Sequence, residues 1–145
     1  ASGFDPPAYL LALGSNDLWV VKRKRNSAPM MIDAILNEIG TDRTVGFLTL
    51  YTVHTSSAPK FNAALREATK RWPNLHVMDW AALARRNQHW HNKGGVHYTL
   101  TGAKARNRYL ADAMVATVKL ARAVTPPTTT TTTTTTTVAT TTSQP

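Results

Sequence analysis

The sequence predicts an α/β domain built on a parallel sheet. Short, unbroken apolar runs alternate with longer segments whose apolar residues recur at helical spacing, and the connections are long enough for crossovers. Ala8-Tyr9-Leu10-Leu11-Ala12-Leu13, closed by Gly14, is the first run. It is too short for an ordinary helix and has no polar face, as expected of a strand buried on both sides. Val45-Gly46-Phe47-Leu48-Thr49-Leu50-Tyr51 is the second, and Leu75-His76-Val77-Met78-Asp79 a shorter third.

Helices fill the intervals. Pro29 suits a first turn after Ser27, and Met31, Ile32, Ile35, Leu36 and Ile39 share one face before Gly40 stops the helix. Ser57 or Ala58, then Pro59, open the next, with Phe61, Ala64, Leu65, Ala68 and Trp72 along its stripe and Pro73-Asn74 at its end. A short helix is expected over Trp80 to Arg86. The last follows a cap at Thr99 or Thr101 and is expected to bury Tyr109, Leu110, Ala113, Met114 and Val118. Three strands make a thin sheet, and the chain opens almost directly into a buried-type strand, so further strands are expected upstream of Ala1. From Thr125 the composition changes: Pro126-Pro127 and a ten-residue threonine run offer no apolar face. Residues 125–145 are therefore expected to be a disordered tail, linker or stalk, and residues 1–124 the domain.

Seventeen Lys and Arg against eight Asp and Glu give a net charge of +9, which suits solubility or an anionic partner such as a cell-wall surface. Part of the excess is the run Lys22-Arg23-Lys24-Arg25 beside Trp19; a solvated helix face explains it better than a nucleic-acid surface. The absence of cysteine excludes a disulfide framework, a thiolate nucleophile and a cysteine metal site. No run approaches the roughly 20 apolar residues of a membrane span. His89-Trp90-His91 has two imidazoles but no partner ligands nearby, so no metal and no cofactor is expected.

Open parallel sheets bind ligands at the carboxyl ends of their strands. Gly14-Ser15-Asn16-Asp17 follows the first strand directly, and the Asn16 amide there can donate to an oxyanion or simply cap the next helix. Gly94-Gly95-Val96-His97-Tyr98-Thr99 precedes the last helix, where His97 can act as a general base or be an ordinary loop histidine. Together these stretches resemble two blocks of the SGNH (GDSL-like) hydrolase family. Gly14-Ser15-Asn16-Asp17 is similar to the family's Gly-x-Asn-Asp block, and Gly95-Val96-His97 with Thr99, Thr101 and Gly102 is similar to its final Asp-Gly-Val-His-x-Thr-x-x-Gly block. Phe61–Leu65, Trp72-Pro73-Asn74 and Val77–Trp80 resemble the middle of such domains, above all the extracytoplasmic SGNH domains of bacterial membrane O-acyltransferases.

The resemblance covers about residues 6–123. It implies a flavodoxin-like three-layer α/β/α fold, incomplete at its N-terminus, and an ester hydrolase or O-acyltransferase working through a serine acyl-enzyme. It further implies an acylated carbohydrate, cell-wall glycan or small ester as substrate and an extracytoplasmic or secreted setting. Asn16 would serve the oxyanion hole, Gly14 would shape its loop, and His97 would be the base. Ser15, Asp17 and Trp90 would border the substrate. The family's Gly-Asp-Ser nucleophile block has no counterpart here, and Gly94 stands where the triad aspartate belongs. Asp79 is the nearest replacement acid in sequence. The alternative expectation is a non-catalytic, basic cell-surface binding module on a degenerate scaffold of the same kind.

Overall fold

A computed structural model describes Gly3 and residues 6–54 and 56–124. The expected disorder of 125–145 concerns residues outside those described. Three strands, β1 (Ala8–Leu11), β2 (Thr44–Leu48) and β3 (Leu75–Met78), form a parallel sheet in the order β1-β2-β3. The register pairs Leu10 with Gly46 and Gly46 with His76. All five residues of β2 are buried. β1, expected to be buried on both sides, is only half-buried, because among the described residues it pairs on one edge alone.

Five helices cover the sheet: α1 (Leu18–Arg23), α2 (Ser27–Ile39), α3 (Ser57–Ala68), α4 (Trp80–Arg86) and α5 (Leu100–Val124). On one face Leu18 and Val21 of α1, Ile32 and Leu36 of α2 and Phe61 and Leu65 of α3 close over Val45 and Phe47. Both crossovers therefore pass over the same face, as consecutive βαβ units of one hand require. On the other, Trp80 and Ala84 pack with Leu48, Leu10, Met78, Tyr109 and Leu110, and α5 lies across β1 and β2. The result is the expected three-layer α/β/α arrangement.

Two local details differ from the sequence reading. The basic segment breaks between α1 and α2, where Asn26 adopts a left-handed backbone (φ 61°); asparagine tolerates this region better than most residues. In α5 the inward face near β2 is made of small residues. Thr117 is buried, and a side chain on Gly46 would collide with its hydroxyl, so the helix approaches the strand closely. Met114, expected inside, is 41 % exposed as a consequence.

Candidate active site

At the carboxyl end of β1 the chain leaves through Gly14, whose φ of 103° is a left-handed value that a side chain would strain. A Cβ there would also press against Leu50 and Phe61, each 3.2 Å away. Ser15, Asn16 and Asp17 form a single 3₁₀ turn leading into α1, and the Asp17 N–H closes it onto the Gly14 carbonyl at 3.1 Å. All three side chains are exposed. They border a cavity of about 420 Å³ whose apolar wall is Met31, Ile35, Phe47 and Phe61. A polar rim bearing an amide donor beside an apolar recess is the usual composition of a small-molecule cleft.

His97 lies on a loop folded back on itself through an antiparallel bridge between His91 and Tyr98. The Asn92 N–H donates to the His97 carbonyl (2.9 Å) and the Gly95 N–H to the Asn92 carbonyl (2.8 Å). Thr99 closes the loop: its N–H and hydroxyl both donate to the Trp90 carbonyl (2.8 and 3.1 Å). The same hydroxyl accepts the Gly102 N–H at 3.2 Å, so Thr99, of the two candidates, caps α5. The Tyr98 phenol accepts from the indole of fully buried Trp80 (3.1 Å). On this well-braced loop the His97 imidazole is exposed and has no hydrogen-bond partner among the described residues.

Both loops rest on one platform, the segment Leu50–His54 that follows β2. Gly14 packs on Leu50, whereas Gly95 meets the platform further along, where the Val53 N–H donates to its carbonyl (3.0 Å). His54 Nε2 lies 3.0 Å from the Lys93 carbonyl. The platform is fixed by Asn62, a buried α3 residue that brackets the Leu50 peptide. Its Oδ1 accepts the Leu50 N–H (2.7 Å) and its Nδ2 donates to the Leu50 carbonyl (2.8 Å). The sequence reading passed over Asn62. The available signal was an amide standing next to the apolar stripe Phe61–Leu65, where a buried polar group requires a partner.

The side chains of the remaining candidates are not brought to these loops by any hydrogen bond among the described residues. Asp79 begins α4: Oδ1 accepts from the Thr49 hydroxyl (2.9 Å) and the Ala82 N–H (3.3 Å), and Oδ2 from Arg66 (2.8 Å). Burial raises its pKa, but these bonds and the Arg66 charge outweigh it and hold the carboxyl below the usual aspartate value. Its acceptor sites are thus engaged by a helix cap and an ion pair, with no bond to His97. Trp90 stacks on Trp80 (centroids 5.8 Å apart) and lines a separate cavity with Leu83, Lys104, Arg108 and Tyr109, on the flank between α4 and α5. His91 is buried between Tyr51 and Tyr98, at 5.1 and 4.7 Å, whereas His89 is exposed. Among the described residues no group of three or more His, Cys, Asp or Glu could hold a metal ion.

Parallel strands, helices on both faces and polar loops at the carboxyl ends define a three-layer α/β domain with a candidate site at that rim. Among solved structures the chain is similar to the C-terminal catalytic domain of the peptidoglycan O-acetyltransferase A (OatA) of Streptococcus pneumoniae, determined with a methylsulfonyl adduct. The TM-score is 0.62 at 18% identity, over 81% of this chain and 66% of that one, so the chain spans just under two thirds of its neighbour's length. That likeness establishes the fold, an α/β architecture like that of an SGNH-type domain. No protein-family model matches the sequence, and no curated protein does.

Proposed function

We propose that this chain contributes the oxyanion donor and the general base of an SGNH-type site that hydrolyses or transfers ester-linked acyl groups. The observation that supports this most is the shared platform, since residues 81 positions apart (97 − 16) are carried on loops seated on the same segment after β2. In this reading a serine hydroxyl attacks the ester carbonyl carbon while His97 takes its proton. The Asn16 amide donates to the oxyanion, a contact worth about 2.7–4 kcal/mol in the transition state. Collapse expels the alcohol oxygen, which takes the proton back from His97, and water or an acceptor hydroxyl then releases the acyl group from the serine. The serine comes from outside the residues that match the family's blocks. With Gly94 in place of the acid, His97 works without a carboxylate to orient it.

The substrate in this reading is an acylated carbohydrate or cell-wall glycan, acted on outside the cytoplasm; the solved structure of similar fold acts in peptidoglycan O-acetylation, which favours that choice. A non-catalytic binding module is the second reading, favoured by Gly94 and by the lack, among the described residues, of any hydrogen bond to the His97 imidazole. The test is turnover of p-nitrophenyl acetate by the 145-residue chain and its His97→Ala variant, beside the same pair joined to the polypeptide encoded upstream of Ala1. The chain alone should show no His97-dependent turnover. The longer pair should differ by about 10²-fold or more. Equal rates in the longer pair favour the binding module, and His97-dependent turnover by the chain alone contradicts the need for an outside serine.

A further inference from the structure

The basic run that the acyl-transfer reading leaves unused surrounds a cavity of about 480 Å³, lined by Lys22, Arg23, Lys24, Arg25 and Asn26 with Lys60 of α3 across from them. No acidic residue lines it, and none of these cations forms an ion pair among the described residues. Basic residues at the end of α1 complement that helix's negative pole, which accounts for Lys22 and Arg23. Lys24 and Arg25 have no such account. They stand immediately before α2, at the positive pole of a 13-residue helix whose first turn has no acid and whose cap, Asn26, makes no side-chain bond. Helix electrostatics disfavour cations there. Like charges around one concavity also repel each other and concentrate a positive potential within it. A bound anion removes both penalties.

The location connects this cavity to the rim. α2 ends just before β2 begins, so its 13 residues, about 20 Å long, place its start near the carboxyl ends of the strands. Lys60 lies in the first turn of α3, at that same end. α1 is the only element between Asn16 and the cavity, and its six residues span about 9 Å. Trp19 carries the Arg23 guanidinium over one face of its ring at 5.7 Å, so that face is not open for a base to stack on.

We propose that this basic cavity binds carboxylate or phosphate groups of an anionic glycan whose acylated unit is held at the Asn16–His97 rim. This deepens the acyl-transfer reading and rests on it for the second half. The test measures binding of the whole chain to three oligosaccharide-sized probes, a hexagalacturonate, a glycerol-phosphate oligomer and neutral chitohexaose, together with a single-stranded oligonucleotide. It is repeated for Lys24→Glu/Arg25→Glu and for the control pair Lys104→Glu/Arg108→Glu on α5, all four being exposed positions. The expected result is binding of at least one of the two anionic probes that weakens tenfold or more in the first pair, changes less than threefold in the control, and exceeds binding of the neutral sugar; which anionic probe binds distinguishes carboxylate from phosphate. Equal losses in both pairs, equal binding of chitohexaose, or tighter binding of the oligonucleotide with the same dependence on Lys24 and Arg25 would overturn it. The milder Lys24→Gln/Arg25→Gln pair, with an unchanged melting temperature, separates lost charge from lost fold. Absence of His97-dependent turnover in the longer polypeptide would remove the catalytic reading without altering these binding constants, so the two failures are separately visible.

Discussion

Replacing Asn62 by alanine tests the platform on which both candidate loops stand. The Asn62 side chain makes two bonds, to the N–H and C=O of one buried residue, Leu50, at 2.7 and 2.8 Å. Removing it strands both backbone groups where water does not reach, and each orphaned group costs about 1–3 kcal/mol. Allowing for partial rehydration, the loss is about 2–4 kcal/mol, a large fraction of the 5–15 kcal/mol typical of a domain. For a domain of this size that corresponds to a fall of roughly 8–16 °C in melting temperature. Thermal unfolding followed by circular dichroism measures it, with exposed Asn107→Ala as the control. Amide exchange at Val53 should quicken in step, because its N–H donates to the Gly95 carbonyl and that bond depends on the platform. A fall below about 3 °C, or one matched by the control, would refute the claim that Asn62 fixes this segment.

Other outcomes follow from the same contacts. Gly95→Ala should destabilise by about 2–3 kcal/mol, since φ is 70° and a Cβ would stand 2.7 Å from His54 Cδ2 and 2.8 Å from Val53 Cβ; an unchanged melting temperature would contradict this. Burial holds the His91 pKa below the ordinary histidine value of 6.5. The unfolded chain therefore binds the proton more readily, and stability should decline as pH falls through and below that value. Melts at about pH 7.5 and 5.5 should show the decline, and His91→Phe, which keeps an aromatic ring between Tyr51 and Tyr98, should reduce it. Asp33, lowered chiefly by its hydrogen bond from Arg71 and then by that from Trp72, stabilises the fold above the usual aspartate value of 3.8 and loses that contribution as pH falls below it. Asp33→Asn should flatten acid unfolding in that range.

What the sequence disclosed and what it hid have physical reasons. β2 and the stripe from Met31 to Ile39 were legible because continuous burial and a 3.6-residue period leave direct marks in residue order. The break at Asn26 was not, since a left-handed asparagine looks like any polar residue within a basic run. Met114 was expected inside and Thr117 was not singled out, because hydrophobicity does not report how closely a helix approaches a strand, and above Gly46 only a small side chain fits. Gly14, Asn16 and His97 were legible as loop residues beside strand and helix ends. The partners of Asp79 were not, because Thr49 and Arg66 lie 30 and 13 positions away and only the folded chain brings them together.

The absence of cysteine allows the proposed convergence of Asn16 and His97 to be measured without interference. In the Asn16→Cys/His97→Cys variant, a short bismaleimide should join the two positions within one molecule, as identified by peptide mass. A second variant, Asn16→Cys/Lys119→Cys, places the other thiol about 28 Å down α5 from its start, on the 1.5 Å rise of a helix, and should link far more slowly. Equal rates for the two pairs, or links only between molecules, would contradict the shared rim.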